Sequence, residues 1–149
     1  MIVDDYHTIA AILSREAAPV AARPPVYLDA RVPATMHLRL VSALHKPGAG
    51  RLTQLLQSAA PDPAYRSALI EAIASPRLGS LTVLDDRPLA AAIGALTSEA
   101  GVSIAFAALI AHAQAAGQPV LIDPANAGRW LDTARRRRIE VVTESATVR

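Results

Sequence analysis

Between Ile104 and Ala116 the chain is almost free of charge, and Gly117 closes the stretch. Apolar residues on nearly every side predict a helix packed on both flanks inside a globule. Ser103 stands where an N-cap hydroxyl is wanted, and Gly117 fits the left-handed residue after a last turn. Val120, Leu121 and Ile122 follow and stop at Asp123-Pro124. A short apolar run closed by a breaker predicts a central parallel strand. Ligands of such sheets bind outside the carboxyl ends of the strands, so Asp123 falls beside a candidate site.

Similar alternation runs through the rest of the chain. Met1-Ile2-Val3 reads as a buried strand ending at Asp4-Asp5, and Tyr6, Ile9 and Leu13 form one face of a helix reaching Arg15. Residues 17–25 hold three prolines and read as a loop. Val26-Tyr27-Leu28 and Val32 are strand-like. Pro33 opens a helix through Leu44 with Leu38, Val41 and His45 roughly on one side. After the breaker at 46–50 come a short helix over 51–59 and a second one with Leu69, Ile70 and Ile73 at helical spacing, broken at 76–80. Leu81 to Leu84 reads as a strand, and Asp85 or Asp86 as the cap of a helix carrying Leu89, Ile93 and Leu96. Residues 125–138 predict a helix ending in four arginines, residues 139–142 a last strand, and residues 144–149 a loose tail. Strands alternating with helices predict one α/β domain over 1–149, in three α/β/α layers around a mainly parallel sheet of about five strands.

Composition narrows the classes. Hydrophobic residues make up 52% and aromatics 3%, which favours helices packed closely on a sheet through small side chains. The net charge of +2 is too weak to imply nucleic acid by itself. Cysteine is absent, which excludes disulfides and thiolate metal sites. There is no apolar run of about 18 residues and no signal-peptide pattern. A cytoplasmic protein without membrane association is expected. Phosphate-cradling glycine loops, nucleophile elbows and HExxH helices do not occur.

The order LTVLDDRPLAAAIGALTSEAGVSIAFAALIAHAQAAGQPVLID followed by IEVV resembles PIN-domain proteins, the metal-dependent ribonuclease fold of many bacterial toxins in toxin–antitoxin pairs. MIVDDYHTIAAIL and VPATMHLRLVSAL resemble the family's first two strand–helix units, so the similarity spans nearly the whole chain. The resemblance implies acids converging at the strand ends around Mg²⁺ or Mn²⁺, hard ions that take oxygen ligands and activate water. Position by position the chain departs from that pattern. Asp5 matches the first acid. Arg39 stands at the second, Phe106 at the third and Pro124 at the fourth, with Asp123 one place early. His7 replaces the usual small polar residue two after the first acid. A ring at position 106 binds no metal, and a guanidinium at position 39 can pair with Asp5 in place of an ion. A sealed pocket without a metal is therefore expected, with Asp5 the ligand if there is one.

Several residues admit a plain structural reading beside the functional one. Asp4 and Asp5 end a strand and cap a helix, or form a residual site. Asp123 is turn chemistry, or a ligand. His7 is structural, or ligates a transition metal, and His112 is a hydrogen-bonded core or interface residue. Arg135, Arg136, Arg137 and Arg138 form a solvated helix end, or touch RNA phosphates. Trp130 is core, or stacks on a base. The expected function is a degenerate PIN-like domain that binds a partner, a second copy or nucleic acid, with an antitoxin-like protein or RNA as candidate partners. A homodimer is expected through the apolar faces of 33–44 and 63–73. The alternatives are a Mg²⁺- or Mn²⁺-dependent endoribonuclease using Asp4, Asp5 and Asp123, and an unrelated α/β domain that binds a small molecule.

Overall fold

A computed structural model describes residues 1–17, 27, 29–46, 50–75 and 81–147. Its sheet has five parallel strands in the order β3-β2-β1-β4-β5: β1 (Ile2–Val3), β2 (Arg31–Pro33), β3 (Thr82–Leu84), β4 (Val120–Ile122) and β5 (Val141–Thr143). Among the described residues seven α-helices flank it: α1 (Asp5–Ala17), α2 (Ala34–Leu44), α3 (Gly50–Ala59), α4 (Pro63–Ala74), α5 (Ala90–Ala100), α6 (Ile104–Ala116) and α7 (Trp130–Arg136). This is the three-layer α/β/α arrangement read from the sequence. Among the described residues no helix is long and apolar enough to cross a membrane.

Burial follows sheet position. The central strands β1 and β4 are completely enclosed, whereas the edge strands β3 and β5 are partly open, as expected of a parallel sheet covered on both faces. Helix α6 packs on β1, β2 and β4 and against α2 and α5. Its residues Ala107, Ala108, Leu109 and Ile110 are fully buried, so an apolar surface all round matches its surroundings. It ends at Gly117, φ 60°, where an L side chain would be strained. Strands 1 to 3 build outward on one side, and the chain then returns to add β4 and β5 on the other. The reversal lies between β1 and β4, where a crevice opens outside the carboxyl ends.

The structure corrects several sequence expectations. Ser103 has capping backbone angles, but its hydroxyl makes no capping bond. In α2 the buried residues are Met36, Leu40 and Leu44, and Leu38 is 67% exposed. The i, i+4, i+8 row faces the core, which turns the expected stripe outward. The last helix starts late, because Pro124–Asn126 forms a separate tight turn before α7. Of the expected strand over 26–28, Tyr27 lies outside the sheet and the other two residues lie outside the described residues, as do 18–25, 47–49, 76–80 and 148–149. The tail is not loose at its start. Glu144 N–H donates to Ile122 O at 3.0 Å and Ala146 is buried.

Helix α2 shows how separate segments are stitched. Its N-cap is Pro33, which offers no capping side chain. Asp86 supplies the cap from beyond β3. Its Oδ2 accepts from the Thr35 N–H at 2.7 Å and the Thr35 hydroxyl at 2.5 Å, while Oδ1 lies 2.7 Å from His112 Nε2 on α6. Asp85, by contrast, is exposed and pairs with Arg87, which holds its carboxyl down at about 2. Removing Asp86 strands a buried imidazole and the first turn of α2. Asp86→Ala is expected to cost about 2 kcal/mol in urea denaturation, and Asp85→Ala to leave the transition midpoint unchanged.

Candidate functional site

The sequence places Asp4-Asp5 at the end of β1 and Asp123 at the end of β4, and the reversal of strand order brings them together. Asp4 caps α1: its Oδ1 accepts from the His7 N–H at 2.9 Å, and its carbonyl accepts from Thr8 N–H and Oγ1. Its Oδ2 accepts from the Asp123 N–H at 2.8 Å, tying β1 directly to β4. Asp123 caps the next turn through Ala125 N–H at 2.8 Å and holds the tail through Ala146 N–H at 2.9 Å. All three acids are essentially inaccessible to solvent.

Asn126 joins them. Its Nδ2 donates to Asp4 Oδ2 and to Asp5 Oδ1, both at 2.7 Å. Its Oδ1 accepts from Arg39 NH2 at 3.3 Å. The amide therefore spends both hydrogens and its oxygen inside the cluster. Arg39 places Nε 3.5 Å from Asp5 Oδ2, the pairing anticipated from the sequence. This is a charge contact rather than a hydrogen bond, and Asp5 Oδ2 is otherwise unpartnered. On the other side Arg51, which sequence reasoning did not single out, lies 3.3 Å from Asp123 Oδ1 and over the Tyr6 ring. Asn126 was also missed. The signal was present in D-P-A-N, where a capping Asp and a Pro make a tight turn that aims the fourth residue back at the cap.

Phe106 lies beside this cluster at the start of α6. The Arg39 guanidinium stands 5.0 Å from its ring centroid, and the Trp130 ring stacks on it at 4.9 Å and 12°. Trp130 Nε1–H donates to Asn126 O at 2.8 Å. An Arg–Phe–Trp stack thus forms one wall of the acid cluster. Trp130 is buried and has no face free for a base. His7 is equally committed. Its Nε2 lies 2.9 Å from Glu144 O, which can only accept, so Nε2 carries the proton. Nδ1 then accepts from the Tyr27 hydroxyl at 2.9 Å. Burial holds that phenol up at about 12, so it stays a donor. His7 keeps no lone pair for a metal.

The donor set decides what the cluster can hold. Each carboxylate oxygen faces an N–H or a guanidinium, whereas a divalent ion needs several oxygens turned toward one point. Among the described residues no group of three or more His, Asp and Glu is arranged to hold a metal ion. A cavity of about 170 Å³ borders the cluster, lined by Tyr6, Arg51, Gln54, Leu55, Ser58, Asp123 and Ala146. That is below the range of pockets that enclose drug-sized ligands. The run Arg135 to Arg138 is exposed, far from the acids along the chain, at the end of α7.

Two outcomes test this reading. Burial, with the charge of Asp5 adding to it, raises the Asp4 carboxyl from 3.8 to about 6, against the hydrogen bonds that lower it. The folded protein then binds the proton more tightly than the unfolded chain. The stabilisation is full below about pH 4 and is lost as pH rises through about 6, by about 3 kcal/mol. Chemical denaturation across that window should show wild type losing more stability than Asp4→Asn. Asn126→Asp replaces a double donor with a fourth acid, and is expected to cost about 4 kcal/mol at neutral pH, partly recovered on acidification.

No family model matches the chain, and no curated protein matches it in sequence.

Proposed function

We propose that this chain is a catalytically silent PIN-like domain that works as a binding module. The observation that carries the reading is the ring of N–H donors around the acids. Asn126, Arg39, Arg51 and five backbone amides hold the oxygens that a metal would need. The family resemblance gains support from the way its four acid positions meet in space. Arg39 contacts both Asp5 and Phe106, and Asp123 with Pro124 closes the same end of the sheet. The arginine and the ring fill the site with charge and volume opposite to what metal catalysis requires.

A silent centre leaves recognition to the surface. Leu38, Tyr65 and Ile104 are 67%, 45% and 59% exposed. Leu38 on α2 and Tyr65 on α4 sit on the two faces where a second copy or an antitoxin-like protein would pack. The working-nuclease alternative draws on one feature, the unpartnered Asp5 Oδ2. One oxygen flanked by a guanidinium is a poor start for a Mg²⁺ or Mn²⁺ site, and that reading ranks second.

Calorimetric titration with Mn²⁺ and a ribonuclease assay in Mg²⁺ or Mn²⁺ separate the two. The silent module shows no micromolar metal binding and no cleavage above buffer, and Asp5→Ala changes neither. Micromolar binding together with cleavage, both abolished in folded Asp5→Ala, would establish the nuclease instead.

A further inference from the structure

We propose that the open edge of β5 is a docking site for an extended acidic segment of a partner protein, which adds to the sheet as a sixth strand. The surface is separate from the acid cluster, and the proposal holds whether or not that cluster is silent.

Strand β5 ends the sheet. Its pairing with β4 is parallel, with Val120 opposite Val141 and Ile122 opposite Thr143. Val120 N–H donates to Glu140 O, and Glu144 N–H donates to Ile122 O. In a parallel ladder one strand's residues bond the neighbours of those they face. Residues 140, 142 and 144 therefore turn their backbone groups to β4. Val141 and Thr143 turn theirs outward, where no described residue bonds them. Such an edge is a template for another strand.

A trough runs beside it. Leu131 and Arg135 on α7, Ile139 just before β5, and Val141 and Thr143 on β5 line a groove of about 90 Å³. Leu131 and Arg135 are four apart on a helix, and 139, 141 and 143 alternate along the chain into β5, so each set shares one face. An added strand would drop alternate apolar side chains into this trough.

Charge selects the kind of strand. Arg135, Arg136, Arg137 and Arg138 are all exposed at the head of β5. Arg135 pairs with Asp132 at 3.3 Å, but both are largely in solvent and the pair holds weakly. Arg138 is the telling residue. It is the only non-glycine residue with positive φ among the described residues, at 58°. Arg138 N–H donates to Arg135 O, and Ile139 N–H donates to Ala134 O. Those two bonds make the helix-ending motif in which glycine is the favoured residue. A cation thus stands where glycine fits the backbone better, and its charge lies at the head of the edge.

The same arginines choose among occupants. RNA would satisfy the charges but not the outward amides and carbonyls or the apolar trough, and Trp130 offers it no stacking face. An extended chain alternating apolar and acidic residues satisfies all three.

The test uses the whole chain and a labelled synthetic peptide about six residues long alternating valine and glutamate, read by fluorescence anisotropy. A lysine–valine peptide, a single-stranded RNA and sedimentation of the protein alone serve as comparisons. The glutamate peptide should bind and the lysine peptide should not. Val141→Pro removes an outward N–H and leaves the ladder to β4 intact; it should weaken binding about tenfold. Arg135→Glu should do the same. Arg138→Gly should melt at a higher temperature yet bind about threefold more weakly, a combination that general damage cannot produce. The proposal is overturned if the two peptides bind alike or not at all, or if Val141→Pro binds as wild type. It is equally overturned if RNA binds and the glutamate peptide does not, or if the edge is taken by a dimer that Val141→Pro dissolves.

Discussion

The amide of Asn126 is the point on which the site depends. Three carboxylates lie out of water at the ends of β1 and β4, and each carries a desolvation cost of several kcal/mol. Two of them would repel across a short gap if nothing stood between. One NH₂ group, with a hydrogen on Asp4 and a hydrogen on Asp5, converts that repulsion into a bridge. The bridge reaches further than its two bonds. Asp4 caps α1 and holds Asp123, Asp123 holds the turn and the tail, and the tail carbonyl holds His7. Helix α1, the β1–β4 crevice and the last residues of the chain are thereby fixed to one another.

The same bonding sets the chemical character of the pocket. A carboxylate oxygen that faces an N–H already has its best partner, and a cation must displace it at the full cost of an unpaired buried donor. Arg39 adds a permanent charge 3.5 Å from Asp5, where a divalent ion would meet repulsion. The centre of this sheet is therefore built for holding strand ends together. On the proposed reading recognition belongs to the periphery, at the edge strands and the exposed residues of α2 and α4.

Much of this architecture was legible in the sequence, and the reasons are local. The apolar run of α6 and the Gly117 stop identify a buried helix without any tertiary knowledge, and Val120–Ile122 before Asp-Pro identifies a central strand. Asp5, Arg39 and Phe106 were gathered in advance only through the resemblance to PIN domains, which sets them at that family's acid positions. Other features were not local. Asn126 became central through a turn whose direction depends on Asp123 being held by Asp4. Asp86 caps a helix 51 residues earlier in the chain, and no spacing rule reaches that far. The buried row of α2 was misread because Leu38 and Leu40 are equally apolar, and only packing against α6 decides between them.

Arg39, Phe106 and Trp130 act as one unit. A guanidinium that enters a buried acid cluster needs its flat face covered, or it loses hydration without return. Phe106 supplies that cover at 5.0 Å, worth about 1 kcal/mol where water is partly excluded. Trp130 backs the ring and anchors itself to the Asn126 carbonyl. Replacing Phe106 alone by an acid would set a fourth carboxylate against Arg39 without a metal to use it. Replacing Arg39 alone would leave Asp5 Oδ2 buried with no charge facing it. Each single change strips a partner from the others, so substitutions at the arginine, the ring and the amide should be strongly non-additive in a double-mutant cycle.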